Sequence, residues 1–367
     1  MLEKIFSKEE VNTGRQFEFD LAKAVCILGM VFVHVFEELS IANTDETSTI
    51  YYIVVIVLDA IFGAGTFMFA MGLGIGYSYK DNPDSYIKRG IKIFLLGYVL
   101  NFLRDVVPSL LVMLFGAEIS FGYMLECFAC LDIMQFAGLA LLLFGLLKKF
   151  RLSDKVILIV AIVMSIIGSF VRMIECQSLP IYYSLGLFFG TVSEVAYEVV
   201  PFPLFNWFII VVIGYLYSKQ LKRVKDKNKF YQFVLPITGI ILVIYMIIAI
   251  PNRLGMMNGN ISYYYFFTTP DAIILASGAM FASGCYYFIS FVLSEKIKNV
   301  ITIISKNINR VYCIHWIIIG FTIYITELLE YEFSEAGIYA YGIIVFVVSS
   351  LLANVIRKKE KEIAHEN

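Results

Sequence analysis

The sequence predicts an all-α polytopic membrane protein, with about ten transmembrane helices in one bundle and both termini cytoplasmic. Three observations lead to this class. The 367 residues are 59% hydrophobic and 16% charged, with a mean hydropathy of +0.79, whereas soluble domains carry about 25% charged residues. Apolar runs close to the roughly 20 residues that cross a bilayer recur along the whole chain. Lysine and arginine concentrate in alternate connections between those runs.

The apolar runs define the predicted helices in order. The second run is long and rich in glycine, which indicates a tilt or a break in that helix. In the stretches 106–121 and 180–202 we expect re-entrant or interfacial pieces instead of complete spans. The predicted spans lie at about 19–39, 50–79, 88–104, 122–147, 155–173, 203–218, 230–250, 270–293, 308–327 and 338–356.

The positive charges give the orientation, because basic residues mark the cytoplasmic connections of a membrane protein. Of the 29 lysines and arginines, Arg104, Arg172 and Arg253 fall on the other side. We therefore expect one membrane domain over 1–367, with polar cytoplasmic tails at about 1–17 and 357–367. The basic connections lie at 4–23, 80–92, 148–155, 219–229, 296–310 and 357–361.

The first predicted span carries titratable side chains on one face. Lys23 and His34 are eleven residues apart, which brings them to the same side of a helix, and Asp20 lies one turn before Lys23. Glu37 and Glu38 follow His34 by three and four residues, so either carboxylate can reach the imidazole. Such a pair is suited to general base catalysis. The alternative is a buried histidine that bonds to a neighbouring helix, and both interpretations stay open.

Two of the outward arginines have an acidic neighbour in the sequence. Arg104 precedes Asp105, and Arg172 lies three residues before Glu175, so local ion pairs are one explanation. The alternative is that they bind an acceptor together with the aromatic run "SYYYFF" at 262–267. Four other polar residues within or near spans are candidates either to line a pore or to tie two helices together. They are Asp59, Asp132, Gln135 and Asp271.

The six cysteines predict neither a disulfide framework nor a metal site. Cys127 and Cys130 form a CxxC pattern, but it lies in an apolar helix, where cysteine usually acts as a small packing residue. The net charge of −1 gives no indication of nucleic acid binding. We expect no metal and no nucleic acid partner.

The first three spans resemble those of the acyltransferase-3 family of membrane acyltransferases. That family carries an acid, then a basic residue three positions later, then a histidine eleven positions further on, as Asp20, Lys23 and His34 do here, with lysine in place of the usual arginine. "FMFAMGLGIGYSY" resembles a segment of its second span. "YIKRGIKIFLLGYVLNFLR" resembles the start of its third span, where Arg89 and Lys92 stand for the paired basic residues.

Central and late stretches extend the resemblance over almost the whole chain. "SKNINRVYCIHWIIIG" resembles a late segment of the acyltransferase-3 family, with Tyr312 and His315 in the matching places. Other stretches resemble the related heparan-α-glucosaminide N-acetyltransferase-like membrane proteins. These stretches are "LDIMQFAGLALLL", "FPLFNWFIIVVIGYLY" and "IKIFLLGYVLNFL". Because features of both groups occur together, O-acylation and N-acylation both stay open.

The resemblance implies an enzyme that takes an acyl group, expected to be acetyl, from cytoplasmic acyl-CoA and transfers it to an acceptor at the outer face. It implies catalytic roles for His34, Glu38 and Asp20. His34 would either deprotonate the acceptor or carry the acyl group covalently. Basic residues at the cytoplasmic side would hold the donor's phosphates, and His315 would line the donor tunnel; the alternatives are positive-inside anchors and a packing hydrogen bond. The donor-binding candidates are Lys23, Arg89, Lys92, Lys306, Arg310 and His315.

The same resemblance implies the surroundings of the protein. The expected partners are membrane lipid, acyl-CoA and a carbohydrate or glycolipid acceptor of the cell envelope, with a homodimer left open. The expected location is the bacterial plasma membrane. The alternative function is a transporter or flippase of a glycan or lipid, whose intramembrane charges serve translocation without acyl transfer.

Overall fold

The computed structural model describes residues 2–39, 63–79, 81–258 and 261–366, and these are mostly helical. The candidate Asp59 lies outside the described residues. The fourteen helices named here are α1 (Phe17–Leu39), α2 (Ala64–Gly76), α3 (Pro83–Asn101), α4 (Val107–Met113), α5 (Phe121–Ala129), α6 (Ile133–Lys149), α7 (Asp154–Phe170), α8 (Leu179–Gly186), α9 (Leu204–Lys222), α10 (Lys227–Asn252), α11 (Thr269–Ile289), α12 (Glu295–Lys306), α13 (Ile308–Leu328) and α14 (Glu335–Glu366).

Six shorter elements complete the description. Helical turns occupy Leu2–Ile5, Gly255–Asn258 and Ile261–Tyr265, and a π-helical segment, Phe102–Val106, joins α3 to α4. The strands β1 (Ile174–Glu175) and β2 (Thr191–Val192) pair in parallel, with Ile174 opposite Thr191.

Among the described residues, seven helices are long and apolar enough to cross a membrane, or eight if the bent pair α5 and α6, at 41°, is one span. The polytopic all-α class is therefore confirmed. Helix α7, in the predicted span 155–173, has 17 residues, and α2, in the described part of the predicted span 50–79, has 13. Residues 50–62 of the second predicted span lie outside the described part. The number ten and the cytoplasmic termini stay predictions.

The chain divides into two compact units, each assembled from segments that are distant in sequence. The first unit comprises Met1–Arg15, Gly65–Val99 and Ala129–Cys285, and the second comprises Gln16–Ala64, Leu100–Phe128 and Tyr286–Asn367. The second unit therefore contains α1, the segment 102–113 and α12 to α14. The single domain expected over 1–367 stays a prediction.

Several polar residues of the first unit support helix ends and helix contacts. Asp132 and Gln135 form a capping box at the start of α6, where the Gln135 side chain accepts from the Asp132 backbone N–H at 3.1 Å. Asp271 of α11 accepts from the Tyr245 hydroxyl of α10 at 2.7 Å and from the Thr268 hydroxyl at 2.7 Å. Asp271 thus ties α11 to α10, as one of its two sequence interpretations predicted, whereas Asp132 and Gln135 support the backbone at the start of α6.

An ionic cluster joins α6, α7 and α9 at the lysine-rich end of the first unit. Asp154 pairs with Lys219, and Lys148 donates to Asp154 at 3.2 Å and to the Tyr215 hydroxyl at 2.7 Å. Tyr215 in turn donates to Asp154 at 2.9 Å. Partial burial raises the pKa of the Asp154 carboxyl, but the bonds from Lys219 and Tyr215 and the charge of Lys148 outweigh it, so that the pKa lies below its ordinary value.

Arg172 does not form the predicted ion pair with Glu175. Its guanidinium donates to the Phe266 carbonyl at 3.2 Å and lies over the Tyr263 ring, 5.4 Å from the centroid. The local ion-pair interpretation was therefore wrong for Arg172, because the aromatic run supplies both a carbonyl acceptor and a ring face.

Two glycines let α2 and α9 approach each other closely. A Cβ atom on Gly72 would lie 2.0 Å from the Val211 carbonyl oxygen, and one on Gly214 would lie 2.2 Å from the Phe69 carbonyl oxygen. Both contacts are with backbone, which cannot move aside as a flexible side chain can. Small residues in facing positions are a common means of helix association in membranes.

We predict that Gly72→Ala destabilises the protein by about 2 kcal/mol, the typical cost of overpacking a tight contact. Gly74, on the same helix, is the matched control, because a Cβ atom added there would have no neighbouring atom within 4 Å. Gly74→Ala is expected to leave the melting temperature in detergent unchanged or to raise it, because alanine has the higher helix propensity. Equal melting temperatures for the two variants would contradict the close contact.

We also predict that Asp154→Asn lowers the melting temperature at neutral pH, because two lysines lose their carboxylate partner. A carboxyl whose pKa is depressed in the folded state stabilises it above the unfolded pKa, and the contribution is lost as pH falls through the folded pKa. The difference between wild type and variant should therefore shrink below about pH 4. A difference that does not change with pH would rule out this electrostatic origin.

Candidate active site

The second unit is organised around α1, which packs against α12, α13 and α14. Its fully buried side chains include Ile27, Val31 and Val35, which supply the apolar face for these contacts. At its start, Asp20 is buried and accepts a hydrogen bond from the Ser305 hydroxyl of α12 at 2.7 Å. A carboxylate in the first turn also interacts favourably with the positive end of the helix dipole.

Two histidines meet where α1 packs against α13. His34 Nδ1 and His315 Nε2 are 2.9 Å apart, and the imidazole rings are nearly parallel, at 9°. His315 is fully buried, and its Nδ1 lies 3.0 Å from the carbonyl oxygen of Val311, one turn earlier. Both imidazoles therefore belong to one chain of hydrogen bonds that begins at a backbone carbonyl.

The backbone carbonyl determines the tautomers of both rings. A carbonyl oxygen only accepts, so His315 Nδ1 must donate to Val311. With both imidazoles neutral, His315 Nε2 then accepts and His34 Nδ1 donates to it. His34 is left with the lone pair on Nε2, the form that a general base or a nucleophile requires. The neutral form is expected, since a charge within a membrane segment is costly.

Aromatic contacts fix the orientation of the His34 ring. Trp316 stacks on it with a centroid distance of 4.1 Å and an interplanar angle of 28°, and Tyr312 approaches edge-on at 6.3 Å. Tyr312, His315 and Trp316 have the spacing that places residues on one face of α13. His34 itself is only half-buried.

The π-helical segment brings an arginine to the same cluster. In an α-helix the N–H of residue 108 would donate to the carbonyl of Arg104, but Pro108 has no N–H. The Val107 N–H donates instead to the Phe102 carbonyl, five residues back. Arg104 is 8% exposed, pairs with Asp105 at 2.9 Å and lies over the Trp316 ring, 4.3 Å from its centroid.

Gly320 allows α13 to approach this segment. A Cβ on Gly320 would lie 2.0 Å from the Arg104 carbonyl oxygen, so no larger residue fits without displacing the backbone. The position is one turn after Trp316 on the same helix. Pro108 therefore favours the π-helical turn that carries Arg104, and Gly320 leaves the space that this turn occupies.

The expected catalytic residues occupy different parts of α1. His34 bonds to His315 of a neighbouring helix, as the second of its two interpretations predicted, and not to Glu37 or Glu38; Glu38 lies exposed near the end of the helix. Asp20 precedes His34 by fourteen residues, or roughly 21 Å along the axis at 1.5 Å per residue. Its bond to Ser305 ties α1 to α12. Catalytic roles for Glu38 and Asp20 stay predictions.

The donor-binding candidates are divided between the units. In the second unit, Lys23 is half-buried on α1, Lys306 is exposed at the end of α12, and Arg310 pairs with Glu360 of α14. In the first unit, Arg89 and Lys92 are exposed on α3. Of all the candidates, His315 contacts His34 directly.

The sequence interpretation did not place Trp316 and Arg104 in the site. Trp316 directly follows His315, and the spacing of 312, 315 and 316 was a signal for a shared helix face. Arg104 had been paired with Asp105, which the structure confirms, but its contact with Trp316 depends on the π-helical segment. Pro108, four residues after Arg104, was the available signal for that irregularity.

Comparison with known proteins identifies a family. The family described as heparan-alpha-glucosaminide N-acetyltransferase, catalytic, matches residues 15–251, which include His34 and Arg104. No curated protein and no solved structure matches the chain. The match supports the second of the two resemblances, and the acyltransferase-3 family is not shown by it. Since the match covers more than half of the chain, this protein belongs to the heparan-alpha-glucosaminide N-acetyltransferase catalytic family and is an acetyltransferase-type membrane enzyme.

Proposed function

We propose that this protein transfers an acetyl group from cytoplasmic acetyl-CoA to a carbohydrate or other cell-envelope acceptor on the opposite side of the membrane. The observation that carries the proposal is the hydrogen-bond chain from the Val311 carbonyl through His315 to His34. It leaves one imidazole nitrogen, His34 Nε2, with its lone pair directed away from the pair of rings. The family match supports an acetyltransferase-type reaction.

His34 serves the reaction in one of two ways. As a general base, Nε2 removes a proton from the acceptor's hydroxyl or amine as that group attacks the thioester carbonyl carbon. As a nucleophile, Nε2 attacks the carbonyl carbon itself, the CoA thiolate leaves, and the acyl-imidazole passes the acetyl group to the acceptor. In both routes His315 acts through His34, by fixing its tautomer and orientation, and is a positioning residue.

The charge asymmetry of the sequence supports the direction of transfer. Acetyl-CoA carries phosphates, which bind best where lysine and arginine are abundant. The lysine-rich connections are the expected cytoplasmic side, and His34 lies in the later half of α1, away from the basic N-terminal tail. Donor binding by Lys23 and Arg310 of the second unit belongs to this proposal, and the roles of Arg89 and Lys92 stay predictions.

We predict that His34→Ala lowers the rate of acetyl transfer in purified protein by about 10²- to 10⁴-fold, the usual contribution of a general base. The measurement is release of CoA thiol from acetyl-CoA in the presence of amino-sugar and hydroxyl acceptors. His365→Ala, at the third histidine of the chain, is the matched control and should retain wild-type activity.

Other outcomes of these activity measurements would change the assignment of His34 or of the function. Full activity of His34→Ala would overturn the assignment of the catalytic group. Movement of a labelled glycan or lipid across proteoliposomes without any acetyl-CoA would favour the transporter alternative. Acetyl label retained on wild-type protein but not on His34→Ala, in the absence of acceptor, would select the covalent route.

We predict that His315→Phe lowers kcat by roughly 10- to 100-fold, as loss of a residue that orients a functional histidine usually does. The KM for acetyl-CoA should change little, and the pH dependence of kcat/KM should shift, because the tautomer of His34 is no longer imposed. A purely structural role would lower thermal stability without moving the pH profile.

A further inference from the structure

The two tryptophans of the chain differ in how their indole N–H groups are satisfied. In the first unit, Trp207 is fully buried and its Nε1 donates to the Tyr265 carbonyl at 2.8 Å. In the second unit, Trp316 is 8% exposed and its Nε1 is buried without a hydrogen-bond partner among the described residues. A buried donor without an acceptor is unfavourable, and such groups are rare in folded proteins. The N–H of Trp316 is therefore a donor that a bound group would satisfy.

The Trp316 ring is held firmly beside the proposed catalytic histidine. Its face stacks on His34 at 4.1 Å, and the Arg104 guanidinium lies 4.3 Å from the same ring centroid. Gly320, one turn later, lets the Arg104 backbone pack against α13. The indole plane is thereby fixed, and with it the direction of the N–H bond. A preorganised donor of this kind is what stabilisation of a developing charge requires.

We propose that the Trp316 indole N–H donates to the carbonyl oxygen of the acyl group that is transferred at His34. This inference rests on the proposed function and adds a catalytic residue to it. The ligand chemistry is specific: a thioester carbonyl accepts hydrogen bonds and donates none, so it matches a site whose unused protein group is a lone donor. The ring centroids of Trp316 and His34 are 4.1 Å apart, so both rings can contact one acyl group.

The proposed reaction is an ordinary acyl transfer through a tetrahedral adduct. The acceptor oxygen or nitrogen forms a bond to the carbonyl carbon while His34 Nε2 takes its proton, and the π-electron pair of the carbonyl moves onto oxygen. That oxyanion accepts from the Trp316 N–H. When the carbonyl reforms, the carbon–sulfur bond breaks, and the CoA sulfur leaves with its electron pair and receives the proton held by His34. If His34 attacks first, the oxyanions of two successive adducts form at the same donor. The CoA thiolate leaves from the first adduct; when the acceptor displaces the imidazole from the second, Nε2 takes the acceptor's proton and passes it to the thiolate.

The test replaces each tryptophan by phenylalanine, which keeps an aromatic ring and removes the N–H. Trp316→Phe is expected to lower kcat by about 10²- to 10³-fold, the usual effect of removing one oxyanion donor, with little change in the KM for acetyl-CoA. Its melting temperature should not fall through loss of a hydrogen bond, because the N–H has no protein partner among the described residues. Trp207→Phe should show the opposite pattern: a lower melting temperature, because the Tyr265 carbonyl loses its donor, and nearly normal kcat.

A second substitution separates the N–H from the shape of the ring. Benzothienylalanine at position 316 keeps the bicyclic outline and replaces N–H by sulfur, and it should reproduce the loss of kcat. This variant decides the question if Trp316→Phe fails to fold.

Two outcomes would overturn the inference. The first is wild-type kcat in the benzothienylalanine variant, which would assign any loss of kcat in Trp316→Phe to ring shape. The second is an unchanged kcat with a raised KM for the acceptor in Trp316→Phe, which would make the indole an acceptor-binding group. If His34→Ala is inactive in the same assay, each of these results leaves the proposed function standing; an active His34→Ala would remove the proposed function itself.

Discussion

The second unit depends on one buried hydrogen-bond chain between α1 and α13. Lipid offers no water to satisfy polar groups, so an imidazole in a spanning helix must find its partners within the protein. His315 finds one in its own helix, at Val311, and the other on α1, at His34. The same bonds thus satisfy both nitrogens of His315 and one of His34, tie the helices together and determine which nitrogen remains reactive. Removing one partner would leave the other buried and unsatisfied, at a cost of about 1–3 kcal/mol.

The residues around this hydrogen-bond chain also stabilise a second group that is costly to bury, the Arg104 guanidinium. An arginine in a membrane segment is unfavourable unless it is paired. Arg104 is paired with the neighbouring carboxylate of Asp105 and lies over the Trp316 ring, whose π-electrons attract a cation. Trp316 consequently has two neighbours with different tasks: a structural cation and the imidazole of His34. Its own N–H takes part in neither contact and has no hydrogen-bond partner among the described residues.

The sequence was informative about the fold class and less informative about which residues contact each other. Composition and hydropathy indicated the polytopic helical class, because the bilayer imposes the length and polarity of each span. The Asp20, Lys23 and His34 pattern drew attention to α1 and left two partners open for His34, a carboxylate on the same helix or a group on a neighbouring helix. The structure shows the second, His315 on α13, 281 residues later. The residue periodicity of one helix does not show which face of another helix packs against it. The π-helical segment and the glycine contacts likewise follow from tertiary packing, so Trp316 and Arg104 were not grouped with His34.

The π-helical segment has a consequence for how this chain tolerates insertions and deletions. It adds one residue to a turn, so the helix after Val106 is rotated by about 100° relative to an uninterrupted continuation of α3. Side chains on the two halves therefore obey separate registers. A one-residue deletion in this segment would do more than shorten the helix. It would convert the π-helical turn into an α-helical turn, so that both halves share one register and a different side chain faces α13. Related sequences that differ by one residue in this segment should thus be aligned separately before and after the π-helical turn, and not by one continuous alignment through the turn.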